Sequence, residues 1–174
     1  MSLGLALMVT LLGLQTVEEA PEGTNAPSFT RVRSTEPYVF GLVHEGYERS
    51  HTFREIVDGL QRSNVIVMVL PGLCAHGRIR SCVVAVDGSD RDRHIRIKID
   101  PQHTIRDGLI AAIAHELQHA VEIAEHAEVT NAGATLALYR RIAYGRCGQG
   151  LSEECETTRA LEAEKEVLQE LLRR

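Results

Sequence analysis

The sequence predicts a single α+β domain, in which a small twisted β-sheet is followed by a helical half. Two observations support this fold class. Between residues 35 and 99 the apolar residues form short runs separated by turn residues, as in β-strands. From residue 104 to residue 172 the apolar residues recur at helical spacing. The chain has 174 residues, which is enough for one hydrophobic core.

Four segments in the first half are predicted to be strands. Residues 35–43 form the first, and residues 64–70, which are nearly all apolar, form a central strand. Residues 78–86 and 93–99 predict two more strands joined by a turn. In the last of these, isoleucines alternate with basic residues, so we expect one face in water, as at the margin of a sheet.

One helix is predicted between the first two strands. Thr52, with Glu55 three residues later, matches a capping box and predicts the start of this helix. Its buried face is then expected to consist of four apolar residues at helical spacing: Phe53, Ile56, Val57 and Leu60.

Three further helices are predicted in the second half. Thr104 is the expected N-cap of a long helix that ends near Glu128. Thr130 or Asn131 begins the next helix, which runs to about residue 144. Ser152 is the expected N-cap of a terminal helix that runs to residue 172.

Composition and charge argue against a nucleic-acid-binding function. The net charge is −5, whereas proteins that bind phosphate backbones are usually basic. The chain has no Trp, 4 Tyr and 3 Phe, which leaves few side chains on which bases could stack. We therefore expect no nucleic-acid partner.

The N-terminus resembles an export signal. Residues 3–14 are apolar or uncharged, which is typical of the core of a signal peptide and too short for a membrane span. We predict a signal peptide over residues 1–20, a flexible linker over residues 21–34 and one domain over residues 35–174, with no membrane span once the signal is removed. The alternative is that the apolar run is an N-terminal core helix.

Four cysteines agree with export to an oxidising compartment. Cys74 and Cys82 are close in sequence, and so are Cys147 and Cys155. We expect each cysteine to pair within its own neighbourhood, although the sequence leaves the connectivity open. The alternative is a cytosolic protein in which all four are reduced.

The segment with the most specific chemistry is an H-E-x-x-H match within the long predicted helix. His115 and His119 are one helical turn apart on the same face, where both imidazoles can bind one metal ion. Glu116 lies to the side of that face, where it can act as a general base on water. The alternative is a pair of hydrogen-bonded core histidines.

A zinc site of this kind needs a third protein ligand. The metzincin pattern requires Gly at position 122 and His at position 125, but the chain has Glu122 and Glu125. The inverted H-x-x-E-H pattern also fails. A carboxylate from a later helix remains, as in the gluzincins, and the chain resembles that class over about residues 104–172.

Five short runs narrow this resemblance to a family of small uncharacterised bacterial proteins. Their H-E-L-x-H helix is the basis on which they are regarded as metallopeptidases. The resemblance covers most of residues 35–172 and is carried by T-F-R-E-I-V (52–57), S-N-V-I-V (63–67), A-H-E-L-Q-H-A-V-E (114–122), A-L-Y-R-R-I (137–142) and C-E-T (155–157).

The resemblance implies a zincin-like fold and a third ligand. In the family an acidic residue followed by Thr opens the last helix, which corresponds to Glu156 and Thr157 here. The family usually has an aromatic residue at the preceding position, where this chain has Cys155. Helical periodicity by itself instead favours Glu153 or Glu164, and an acidic first turn would also stabilise the helix dipole without binding metal.

Other polar residues fall near the predicted site. Glu122 and His126 share the face of the two histidines, and Glu122, which is closer, is the better candidate to orient a ligand imidazole through its other nitrogen. Tyr139 and Tyr144 could stabilise an oxyanion, although packing in the core is the simpler role for each.

The sequence thus predicts a secreted zinc-dependent hydrolase, with a peptidase as the best match. Zn²⁺ is held by His115, His119 and Glu156, and Glu116 takes the proton from water. As in zincins generally, an extended peptide or protein substrate is expected to pair with the strand at residues 93–99. The rival interpretation is a non-catalytic zincin-like module, stapled by metal, that binds a partner. The sequence does not specify an oligomeric state.

Overall fold

The computed structural model describes residues 29–74, 81–89, 91–102, 105–145, 147 and 155–173. Several predictions fall outside these residues. They concern the signal peptide and the linker up to residue 28, the start of the third predicted strand at residues 78–80, the caps Thr104 and Ser152, and the candidate ligand Glu153.

A four-stranded sheet lies at the centre of the described structure. Its strands are β1 (Val32–Arg33), β2 (Val65–Pro71), β3 (Ser81–Gly88) and β4 (Arg93–Ile99), in the order β1-β2-β4-β3. The first strand lies within the predicted linker and pairs with β2. Strands β1, β2 and β4 are parallel, and β3 is antiparallel to β4. The valines of β2 and the isoleucines of β4 point to the same side and are buried beneath the helices: Val65, Val67, Val69, Ile95, Ile97 and Ile99.

The exposed face of β4 is confirmed, but its expected place at the margin of the sheet is wrong. His94 and Arg96 are exposed on the face opposite the helices. However, β4 is hydrogen-bonded to β2 on one side and to β3 on the other, so it cannot accept a further strand. Alternation indicates which face of a strand is in water but not whether the strand lies at an edge, and among the described residues the helices cover one face of this sheet.

The predicted first strand, residues 35–43, is not formed, because residues 37–43 are helical. The helix α1 (Pro37–Arg49) begins with Pro37 in its first turn, where the missing N–H costs nothing and the fixed φ suits a helix. Its buried residues recur at helical spacing: Val39, Leu42, Val43 and Gly46. A Cβ on Gly46 would lie 2.8 Å from side-chain atoms of Phe53 and Ile110, so glycine permits close packing there.

The helix α2 (His51–Gln61) buries the four apolar residues that the sequence indicated. Its N-cap, however, is Ser50 rather than Thr52, because the Ser50 hydroxyl accepts the hydrogen bond from the Phe53 N–H. The Thr52 hydroxyl instead donates to the Glu170 carboxylate near the C-terminus. The contact with Glu170, which is distant in sequence, therefore uses the Thr52 hydroxyl that the local pattern predicted as a helix cap.

The helix α3 (Arg106–Ala124) contains the H-E-x-x-H segment and is buried on several sides. Of its 19 residues, 15 are buried. It lies against the sheet and packs along the terminal helix and against α1 and α2. It ends four residues before the predicted end at Glu128.

Two helices follow. In α4 (Ala132–Ile142) the N-cap is Asn131, one of the two predicted candidates, whose side chain accepts from the Ala134 N–H. The helix α5 (Thr158–Leu172) begins later than the sequence suggested, because its N-cap is Thr157 and not Ser152. Glu156 therefore lies before the helix and not in its first turn.

The described residues form an α+β fold of four strands and five helices. Because α1 and α2 precede most of the sheet, the predicted order of sheet first and helices afterwards holds only for the second half. None of the helices within the described ranges combines the length and the apolar character needed to cross a bilayer.

A buried arginine from β4 lies at the end of α3 and binds the last carbonyls of the helix. Arg93 is only 1% exposed, and its guanidinium donates to the Asn64 side chain. It also donates, at 2.7–3.3 Å, to four backbone carbonyls at the end of α3 and in the following turn: Ile123, Ala124, His126 and Val129. These carbonyls carry the negative end of the helix dipole, which favours a cation there. Arg93 thus allows α3 to end inside the protein.

We expect Arg93→Met to lower the free energy of unfolding by about 3 kcal/mol, because several buried carbonyls would lose their donor. For a chain of this size the melting temperature should fall by about 10 °C. Arg96→Met, on the exposed face of the same strand, is the matched control and should change stability by less than about 0.5 kcal/mol. Equal losses in both variants, measured by thermal and urea denaturation, would contradict this role.

Candidate metal centre

In α3, His115 and His119 both direct Nε2 towards the carboxylate of Glu156. His115 and His119 are 6% and 7% exposed, and their ring centroids are 4.9 Å apart. Glu156 Oε2 lies 2.8 Å from His115 Nε2 and 3.9 Å from His119 Nε2. One ligand atom from each of the three residues lies within 4.8 Å of the other two. The structure thus brings together the three residues that the sequence proposed as metal ligands.

Glu156 approaches the histidines from the segment that precedes α5. Its backbone carbonyl accepts a 2.6 Å hydrogen bond from the Tyr144 N–H. The preceding residue, Cys155, is bonded to Cys147. The Glu156 side chain is half exposed, so the cluster opens to solvent on this side.

The other nitrogen of each imidazole faces a second carboxylate. Glu122 Oε2 lies 3.0 Å from His119 Nδ1, the contact that the sequence suggested for Glu122. Glu164 Oε2 lies 3.3 Å from His115 Nδ1, at ion-pair distance but without hydrogen-bond geometry. Glu164, one of the candidates for third ligand, therefore faces the nitrogen that points away from Glu156. A hydrogen bond such as the one between Glu122 and His119 fixes the orientation of a ligand imidazole.

Glu116 is buried beside the histidines and outside the three-residue group. It is 5% exposed, and the hydroxyl of Ser81 at the start of β3 is near enough to its carboxylate to act on its pKa, which it lowers. Burial raises the pKa of Glu116, while the nearby His119 and His115 act in the opposite direction. A carboxylate with a raised pKa is a stronger base than one in water.

The charges of the cluster favour a cation at its centre. Burial opposes a charge on His115, but the Glu156 and Glu164 carboxylates prevail and raise the pKa of His115 to about 10. The two histidines in turn hold the pKa of Glu156 far below its ordinary value. With Glu116 and Glu122, four carboxylates surround two imidazoles. Positive charge is therefore stabilised here, whether as protons or as a metal ion.

The residues fit zinc. Two imidazoles and one carboxylate form a common ligand set of catalytic zinc sites, with a further position left for water. Ligand atoms about 2 Å from a tetrahedral ion lie about 3.3 Å from each other. The observed separations of 2.8 and 3.9 Å bracket that value, so small side-chain movements would suffice.

Three other candidates lie outside the cluster. Tyr139 is buried, packs edge-on against His119 and donates to the His119 carbonyl, so it serves packing. Tyr144 has an exposed ring and contacts Glu156 through its backbone. The imidazole of His126 faces the surface residue Glu128.

Two residues beside the cluster were not predicted from the sequence as part of the site: Ser81 and Thr157. Ser81 lies within a predicted strand, and no local pattern indicates which helical residue it contacts. Thr157 was part of the family resemblance only. Its hydroxyl donates to the Glu122 carboxylate at 2.6 Å.

Both cysteine pairs are present as disulfides, Cys74–Cys82 and Cys147–Cys155. Of the possible connectivities, the structure has the one that pairs sequence neighbours. The second disulfide adjoins Glu156 and thereby anchors the segment that supplies the proposed third ligand.

A comparison of the chain with protein-family models, curated proteins and solved structures finds no match.

We expect the purified protein to bind about one zinc ion per chain, and His119→Ala to lose it, because two ligands no longer hold the ion in place. Metal content after dialysis measures this. The control is His126→Ala, which removes an imidazole near the end of the same helix and should leave the zinc content unchanged. Full zinc content in His119→Ala would exclude this site.

The second disulfide should matter for metal affinity. A disulfide that closes a short loop removes about 2–3 kcal/mol of chain entropy, and this one restrains the residue next to Glu156. We therefore expect Cys147→Ser with Cys155→Ser to weaken zinc binding about tenfold or more. Cys74→Ser with Cys82→Ser should lower stability but leave zinc affinity within about twofold. The reverse order of affinities, in a chelator competition titration, would contradict the proposed anchoring.

Proposed function

We propose that the protein is an exported zinc-dependent hydrolase that cleaves peptide bonds. The observation that supports this most directly is the convergence of His115 Nε2 and His119 Nε2 on the Glu156 carboxylate, beside the buried carboxylate of Glu116. The proposal also follows the resemblance of the chain to gluzincin-type metallopeptidases and a zincin-like fold.

In this proposal His115, His119 and Glu156 hold zinc, and Glu122 and Glu164 orient the two imidazoles. A zinc ion in such a site supplies a Lewis acid that lowers the pKa of water and polarises a carbonyl. The half-exposed Glu156 lies at the open side of the cluster, where substrate can enter.

Glu116 is the proposed general base. It accepts a proton at a carboxylate oxygen from the water that attacks the amide carbon, and then delivers it to the departing amide nitrogen. Burial favours this proton transfer, because it raises the pKa of Glu116 above the ordinary value of a carboxyl group. The Ser81 hydroxyl orients the carboxylate.

The position of β3 suggests where a peptide would bind. Substrate cannot pair with β4, because both of its edges are occupied. Among the described strands, β3 pairs on one side only, and its first residue, Ser81, contacts Glu116. We propose that an extended peptide pairs with β3, so that backbone hydrogen bonds place its scissile bond near the metal centre.

Export is supported by the two disulfides, because disulfides persist in oxidising compartments and are rare in the cytosol of most organisms. The apolar run at residues 3–14 is consistent with a signal peptide.

One observation favours the rival function, a metal-stapled binding module without activity. His115, His119 and Glu116 are each more than nine-tenths buried, so substrate has access mainly past Glu156. Such a module would bind zinc and cleave no peptide. Incubation of the zinc-loaded protein with a broad peptide library separates the two functions.

We expect Glu116→Gln to retain zinc and the fold but to lower the rate of hydrolysis by at least about 10²–10⁴-fold. Glutamine has nearly the same shape and can hydrogen-bond to water, but it cannot accept a proton. The measurements are zinc per chain and the cleavage rate on a peptide that the wild type cuts. Glu128→Gln, an exposed position beyond the end of α3, is the matched control and should behave as the wild type.

Full zinc with an unchanged rate would show that Glu116 is not the base. Loss of zinc would show that Glu116 supports the metal site or the fold instead. A wild-type protein that binds zinc and cuts no library peptide would favour the binding module.

A further inference from the structure

We propose that Thr157 is a positioning residue that sets the place of the ligand Glu156 relative to His119, acting through Glu122. This inference rests on the metal centre proposed above and adds a residue outside the ligand set. It is supported by a chain of hydrogen bonds that links the start of α5 to α3.

The chain of hydrogen bonds is short and buried. The Thr157 hydroxyl donates to Glu122 Oε1 at 2.6 Å, and Glu122 Oε2 lies 3.0 Å from His119 Nδ1. Thr157 and Glu122 are 3% and 2% exposed. The Thr157 oxygen also accepts a 3.1 Å hydrogen bond from the Ala160 N–H, as the N-cap of α5.

The donors and acceptors fix the direction of each bond. A carboxylate only accepts, so both the Thr157 hydroxyl and His119 Nδ1–H must donate to Glu122. When zinc occupies the site, His119 therefore keeps its proton on Nδ1 and offers the lone pair of Nε2, the nitrogen that faces Glu156, to the ion. Thr157 has one hydroxyl proton, which it donates to Glu122. A lone pair of the same oxygen accepts the hydrogen bond from the Ala160 N–H.

Glu156 needs such support because its side chain is half exposed. Its backbone is held on one side by the Tyr144 N–H and on the other by the next residue, Thr157. One carboxylate, Glu122, therefore contacts both a metal-binding imidazole and the residue adjacent to the third ligand. The two contacts of Glu122 therefore oppose movement of α5 relative to α3 at the point where Glu156 approaches His119.

The test measures how fast zinc leaves the folded full-length chain, by transfer to a chromogenic chelator. Thr157→Val keeps the shape but removes the hydroxyl, and we expect zinc to leave about tenfold faster or more, as is typical when partners of metal ligands are lost. Thr157→Ser retains the hydroxyl and should restore release to within about twofold of the wild type.

The double variant Thr157→Val with Glu122→Gln tests whether Thr157 acts through Glu122. Both changes interrupt the same chain of hydrogen bonds, so the double variant should release zinc about as fast as the faster single variant. Fold-changes that multiply would overturn the proposed coupling.

Asn131→Ala is the matched control for the capping role of Thr157. Asn131 caps α4 with a side-chain hydrogen bond to the Ala134 N–H, and it belongs to neither α3 nor the segment before α5. Its loss should lower the melting temperature of the metal-free protein, as in Thr157→Val, but leave zinc release unchanged. Equal zinc release in Asn131→Ala and Thr157→Val would reduce Thr157 to a helix cap.

The outcomes separate this inference from the proposed function. If the wild type binds zinc but hydrolyses nothing, zinc release still decides the role of Thr157. If zinc is bound and Thr157→Val releases it at the wild-type rate, the positioning role is overturned while the peptidase proposal stands. If the wild type binds no zinc, the metal centre fails and the role of Thr157 fails with it.

Discussion

The burial of polar groups on α3 is the constraint that organises the rest of the fold. Two imidazoles and the carboxylates of Glu116 and Glu122 lie on a helix enclosed by the sheet and α5. Buried polar groups are costly unless they are paired. Their partners come from elements distant in sequence: Ser81 begins β3, Thr157 caps α5, and Arg93 donates hydrogen bonds to the carbonyls at the end of the helix. The packing of these elements around α3 therefore supplies partners for the Glu122 carboxylate and for the backbone at the end of the helix, while His115 Nδ1 faces Glu164 without a hydrogen bond.

The metal centre adds an electrostatic reason for the same arrangement. Four carboxylates around two imidazoles leave negative charge in a largely buried cluster, which a divalent cation would offset. Because its ligands come from α3 and from the segment before α5, such a cation would also hold these two elements together. Binding free energy at the site would then contribute to the stability of the fold. The disulfide at Cys155 and the hydrogen bond of Thr157 act on the same segment.

The sequence predicts those parts of the structure that depend on local spacing. The pairing of His115 with His119 and the buried stripe of α2 follow from the helical period, and the exposed face of β4 follows from alternation. Prediction from the sequence fails where a contact between residues distant in sequence determines the local structure. Pro37 suits the first turn of a helix, yet its neighbours resemble a strand until their packing is known. The preference for Glu153 or Glu164 over Glu156 assumed a helix that starts at Ser152. Because α5 begins at Thr158, Glu156 lies outside the helix, and helical periodicity does not predict the direction of its side chain.

The choice between a catalytic and a purely structural metal turns on what each would require of these residues. A structural zinc site is usually closed by four protein ligands. The described residues supply three, and the third is half exposed, which leaves a position for water on the open side. In a structural site Glu116 would add negative charge near the cation, but it is not one of the three ligand residues and its burial costs free energy. A general base needs that placement, since burial raises its pKa and a hydroxyl from the edge strand keeps it oriented. In the proposed hydrolase Glu116 would therefore act on water as well as supply charge, whereas in a structural site it would supply charge alone.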